Sequence, residues 1–180
     1  MENKNGARVT AVELQKDPVV HDDVWTSMKA VTNAKHFATV FRLTEDESEI
    51  VPETSIDWEE NNGDGGLWAK LLAHFVGLNQ DIRWAIVNLP YTTTNGGKRN
   101  KVIFATWVPD TLTRRTMRES VRVKFNGVQL AGGMRKQASI DGVSMYQAND
   151  MDDLALAEVL AKVSRFERDG IDMESLAMLH

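Results

Sequence analysis

The chain has 180 residues, 42% of them hydrophobic, with 26 acidic and 21 basic side chains and a formal charge of −5. That is enough for one good core and short for two, and the acidic balance excludes a general nucleic-acid binder, whose affinity rests on neutralising many phosphates. There is no cysteine, which excludes disulfides, thiolate metal ligands and a cysteine nucleophile.

The first 16 residues are polar and unpatterned and read as a flexible arm before a domain over residues 17–168 and a C-terminal extension over 169–180. "MENKNGARVT" lacks the apolar core of a leader, and no apolar run is long enough to span a bilayer, so a cytoplasmic protein without a transmembrane segment is expected. From Asp17, "DPVVHDDVWTSMKAVTNA" carries an Asp-Pro helix-entry signal and places Val20, Val24, Trp25, Met28 and Val31 at helical spacing. "HFATVFRL" and "SEIVPETS" read as a hairpin around a polar turn, with Pro52 near its end. "WEENNGDGGLW" is a loop, and "LWAKLLAHFVGL" a short buried helix closed near Gly77.

"DIRWAIVNLPY" and "KVIFATWV" are the strongest strand signals, joined by an Asn95-Gly96 turn in which both residues accept positive φ. Trp84 and Trp107 within them read as core. "PDTLTRRTMRESVRVKF" predicts a helix capped by Asp110 or Thr111, and the glycine-interrupted run after it is ambiguous. "VSMYQA" reads as a short strand and "MDDLALAEVLAKVSRF" as a helix with Leu154, Leu156, Val159, Leu160 and Val163 buried. "DGIDMESLAMLH" could add a small packed helix. The order predicts an α/β fold, a central mixed sheet of about five to six strands with helices on both faces.

Charge is segregated. Thr44 to Asp64 holds nine acidic residues and no Lys or Arg, whereas Lys98 to Lys136 holds ten basic residues against two acidic ones. The stretch "TNGGKRNK" has the ingredients of a phosphate loop, but Gly97-Lys98 is followed by Arg99 and by a strand, where a phosphate cradle needs GK[ST] and a helix. What remains is a turn presenting Lys98, Arg99 and Lys101, suited to an acidic protein surface or an anionic headgroup.

"DIRWAIVNLPYTTTNGGKRNKVIFATWVPDTLTRRTM" resembles the actin-depolymerising factor/cofilin (ADF/cofilin) family, and "VVHDDV", "SEIVPETS" and "EVLAKVSR" agree with it in the same order. The likeness spans Val19 to Arg165 and marks a divergent member. It implies one ADF-homology domain that binds filamentous and monomeric actin without enzymatic activity, severs and depolymerises filaments, and acts as a cytoplasmic monomer. By that resemblance Lys98, Arg99 and Lys101 form the hairpin part of a filament contact that Lys162 and Arg165 complete from the last helix. Arg114 and Met117 match the long helix that touches both monomer and filament. Thr116 stands where the family has a lysine, and "RESVRV" replaces a family run, so Arg115, Arg118 and Arg122 are expected to compensate. Lys16 aligns near the serine that kinases modify in many members, so no such phosphoswitch is expected. The nearest rival within the family is a coactosin-like filament side-binder without severing. The alternative of another class is a phosphoinositide-binding module that has lost actin binding.

Residue chemistry supports no catalytic centre, cofactor or metal. The resemblance puts His21, Asp22 and Asp23 at the entry of the first helix, where aspartate favours the N-terminal dipole, and the four histidines show no i,i+4 pairing for zinc.

Overall fold

The computed structural model describes residues 18–46, 48–59, 66–76, 81–110, 143–163 and 170–174. In chain order these form β1 (Val19–Val20), α1 (Asp22–Thr32), β2 (Ala38–Leu43), β3 (Glu49–Ile56), α2 (Gly66–Val76), β4 (Arg83–Thr93), β5 (Lys98–Trp107), β6 (Ser144–Ala148), a 3-10 turn (Asp152–Leu154), α3 (Leu156–Val163) and β7 (Ile171–Asp172). The sheet runs β1-β3-β2-β4-β5-β6, with β7 paired to β4 beyond the end of β2. Parallel pairing at β1–β3 and β5–β6 and antiparallel pairing elsewhere make it mixed, as expected, but with seven strands where about five to six are expected, because the two-residue strands β1 and β7 add to it.

The twofold alternation of strand side chains divides the core between the two faces. Phe41, Ile50, Trp84, Ile86 and Phe104 pack against Val24, Met28 and Val31 of α1. Ala85, Val87, Leu89, Ile103, Ala105 and Trp107 pack on the opposite face against α2 and α3, which supply Leu67, Leu71, Phe75, Leu156, Val159 and Leu160. Trp84 and Trp107 thus sit on opposite faces, both buried, and fill volume rather than offer a stacking surface. Trp58 and Trp68 fasten loops: the Trp58 indole donates to the Ala34 carbonyl (3.0 Å) and packs edge-on against Phe37, while Trp68 donates to the Leu154 carbonyl (3.0 Å).

Four local expectations are corrected. The first helix starts at Asp22, where the resemblance puts its entry and not at the Asp-Pro signal of residues 17–18, because Val19 and Val20 are claimed by the sheet through parallel pairing with Glu49 and Ile50. His21 caps the helix by accepting from the Asp23 amide (3.3 Å), and Asp22 and Asp23 occupy its first turn, where they oppose the positive dipole end. Pro52 lies inside β3 rather than near its end, opposite Phe41, where the register slips and leaves Glu53 as an unmatched residue; a strand accommodates proline at such a bulge. The last helix is broken: Ala155 is extended (φ −60, ψ 127), so the 3-10 turn ends before α3 begins. Within the final stretch, Ile171 and Asp172 join the sheet beside Thr93 and Thr92 instead of a helix, while residues 175–180 of the expected small helix lie outside the described residues.

The C-terminus of α1 is closed by a pair of bonds, Lys35 amide to Ala30 carbonyl (2.8 Å) and Ala34 amide to Val31 carbonyl (3.0 Å). This closure needs a left-handed residue, normally glycine, and Ala34 takes that role at φ 56. The expected helix from Asp110 or Thr111 and the glycine-interrupted run after it lie outside the described residues, as do the N-terminal arm and Lys16.

Candidate functional site

The β4–β5 hairpin is paired without interruption from Arg83↔Trp107 to Thr92↔Lys98, so it carries its tip out on a continuous ladder. At the tip the Gly96 amide donates to the Thr93 carbonyl (2.8 Å), and the Thr93 amide donates to the Gly97 carbonyl (2.9 Å). Only Gly96 adopts positive φ (85), which makes this a three-residue turn with a glycine bulge. Asn95 acts through its side chain, contrary to the expectation that it too takes positive φ: its Oδ1 accepts from Thr93 Oγ1 (2.6 Å) and from the Gly97 amide (3.2 Å). The tip is therefore held mainly by backbone, Thr93 and Asn95; of the three cations Arg99 also bonds locally, its Nη1 donating to the Lys98 carbonyl (3.1 Å).

Lys98 and Arg99 are exposed and Lys101 half-exposed. Among the described residues none of the three is in an ion pair. Strand alternation sends them to different sides. Arg99 and Lys101 are in phase with Ile103, Ala105 and Trp107 and so belong to the face covered by α2 and α3, whereas Lys98 is in phase with Phe104 on the α1 face.

Lys162 lies on α3, on the same face as Arg99 and Lys101, but its ammonium is engaged within the protein. It donates to Asp153 Oδ1 (3.1 Å) and to the Tyr146 hydroxyl (3.3 Å) and lies 5.2 Å from the centre of the Tyr146 ring. Tyr146 in turn donates its hydroxyl proton to the Asp153 carbonyl, and the Asn149 amide donates to Asp153 Oδ2 (3.0 Å). The Asn149 amide first, and Lys162 after it, hold the Asp153 carboxyl below the usual carboxylate range against partial burial. Asp153 and Tyr146 hold the Lys162 ammonium above the usual lysine range, and burial pushes the Tyr146 hydroxyl up. This knot ties β6, the 3-10 turn and α3 together, and it was missed in the sequence because its members are spaced across a helix break.

Arg114, Arg115, Met117, Arg118, Arg122 and Arg165 lie outside the described residues. The hairpin cations are brought together on one turn, and Lys162 joins them only as a member of the same face. Among the described residues no three histidine, aspartate or glutamate side chains are grouped to hold a metal, and no helix is long and apolar enough to cross a membrane.

A family model described as cofilin/tropomyosin-type actin-binding protein matches residues 19–164. A cofilin from Ogataea parapolymorpha is 34% identical over 86 residues, 47% of this chain and 54% of the relative, and one from Yarrowia lipolytica is 33% identical over 87 residues, 47% and 51%. The matched stretch thus spans about half the length of these curated relatives. Among solved structures, the cofilin of Streptomyces griseoflavus superposes with a TM-score of 0.62 at 23% identity, over 82% of this chain and 97% of that one. Coactosin from Entamoeba histolytica superposes with a TM-score of 0.56 at 15% identity, over 82% and 95%, which is likeness of fold. With the family match covering all the sheet strands but β7 and both helix layers, the chain belongs to the cofilin/tropomyosin-type actin-binding protein family, the ADF/cofilin family.

Proposed function

We propose that this chain is a non-enzymatic actin-binding module that binds filaments, and monomers as well, and promotes filament severing and depolymerisation. The observation that carries the reading is the hairpin tip: three cations without an ion partner among the described residues, on a turn whose closing bonds come from Thr93, Asn95, Gly96 and Gly97. Actin is acidic, and rim cations steer association and set its salt dependence. Seating between two filament subunits and favouring a changed twist would weaken the filament by population shift, without chemistry. Arg114, Met117 and their neighbours supply the second contact in this reading, with Met117 as the apolar anchor.

The test is co-sedimentation with actin filaments while filament length is followed by microscopy. Pelleting with shortening supports the whole proposal. Pelleting at constant length reduces it to a coactosin-like side-binder. Failure to pellet, with binding to phosphoinositide vesicles retained, replaces actin by a lipid headgroup as the partner of the hairpin.

A further inference from the structure

A second surface lies where α2 meets the segment leading into α3 and the residue that follows β7. It is an open groove of about 460 Å³, and all nine residues that line it are apolar. Trp68 and Leu156 are buried in its floor; Leu72 and the two methionines Met151 and Met173 stand at its sides. Met151 is 55% and Met173 49% exposed, so the groove faces water with its most adaptable side chains. Exposed methionine beside a fixed aromatic suits a surface that reshapes itself around a partner's apolar anchors.

Among the described residues the rim is mainly acidic. The wall from Asp150 to Glu158 carries Asp150, Asp152, Asp153 and Glu158 and no cation, and Glu174 follows Met173 on the other side. Asp153 is spent on Lys162, but Asp150, Asp152, Glu158 and Glu174 are exposed. Lys70 on α2 is the basic residue beside this lining, and it has a partner of its own. An apolar trough edged by carboxylates selects against acidic and lipid-headgroup ligands and for apolar side chains flanked by Lys or Arg. A groove between two helical elements takes a helix that presents anchors at i, i+3 or i+4 and i+7.

We propose that this groove docks a basic amphipathic helical segment of a partner protein, with two or three apolar side chains seated between Leu72, Met151, Met173 and Leu156. The site does not depend on the actin reading: it involves none of the residues assigned to that contact.

The whole 180-residue chain, labelled at the methionine methyl groups, is titrated with a synthetic helical peptide carrying leucine at i, i+3, i+4 and i+7 and lysine elsewhere. Saturable shifts are expected at Met151 and Met173, with Met145, on the opposite face of the sheet, unmoved. The same leucine pattern on glutamate should bind at least tenfold more weakly, as should the lysine peptide to a Met151→Lys, Met173→Lys variant with an unchanged melting temperature. That variant should pellet with actin filaments as the parent does. Equal binding of a scrambled lysine peptide, or shifts centred on Met145, would overturn the proposal. So would a loss of actin binding in the variant, which would make the groove part of the actin contact. Met151 shifts that grow with protein concentration alone would assign it to a second copy, and shifts on deleting residues 175–180 to the chain's own tail; either result removes the basic partner.

Discussion

If the filament contact uses the face that α3 shares with the hairpin, the three tip cations are unequal. Arg99 and Lys101 are on that face and Lys98 is on the other. An exposed ion pair contributes about 0.2–1 kcal/mol, and about 1.4 kcal/mol is a factor of ten. Removing Arg99 and Lys101 together should therefore weaken filament binding by about 2- to 30-fold, and Lys98→Ala by no more than about fivefold. The turn itself is bonded through Thr93, Asn95 and Gly97, so the variants keep the hairpin. Co-sedimentation across a salt series is the assay: the double variant should also show a flatter loss of affinity with salt, since screening acts on the charges removed. A Lys98→Ala defect larger than that of Arg99→Ala, Lys101→Ala, or an unchanged salt dependence in the double variant, would refute the one-face reasoning.

Ala34→Gly should stabilise the protein. A left-handed alanine costs about 1–2 kcal/mol and the added chain freedom of glycine returns about 0.4–1, leaving a gain of about 0.5–1 kcal/mol, a melting temperature higher by about 1–4 °C in a thermal scan. Glu53→Ala should cost about 1–3 kcal/mol in urea unfolding, less than a broken fully buried pair because Glu53 is itself exposed, since it strands the buried Arg83 guanidinium that it meets with two bonds (2.7 and 3.2 Å). Replacing both by methionine should recover most of that loss. Asp153, held below its ordinary 3.8, contributes stability that is present above that pH and lost as pH falls through the lowered value; Lys162, raised above 10.5, loses its share only beyond that. The α3 amide exchange rates, corrected for their intrinsic pH dependence, should thus hold between about pH 5 and 9 and rise in acid, and Asp153→Asn should remove the acid step and strengthen filament binding by freeing Lys162.

Much of the fold was legible because its strongest signals are local. Trp84 to Tyr91 and Val102 to Trp107 are β-branched and aromatic around a glycine turn, and pairing follows from their adjacency. What was misread depends on distant partners. An Asp-Pro signal at residues 17–18 points to helix entry, yet Val19 and Val20 pair with residues thirty positions on. The break at Ala155 did leave a trace: Leu154 and Leu156 are both buried, and residues two apart cannot share one face of a helix. The hairpin part of the candidate site could be read from the residues as a charged turn, whereas the engagement of Lys162 could not, because Asp153 is nine residues away across that break.

That engagement changes how the basic strip works. A cation exposed on a turn contributes its full attraction to an acidic partner, less the cost of ordering its side chain. Lys162 already has a carboxylate at 3.1 Å and a hydroxyl at 3.3 Å, so a partner carboxylate gains only the difference between itself and Asp153. Within the described residues, attraction is therefore concentrated on the hairpin, and Lys162 acts first to position α3 against β6. In the proposed reading, the knot fixes the orientation of the face from which α3 would meet a filament, while the hairpin would supply the charge that brings the two together.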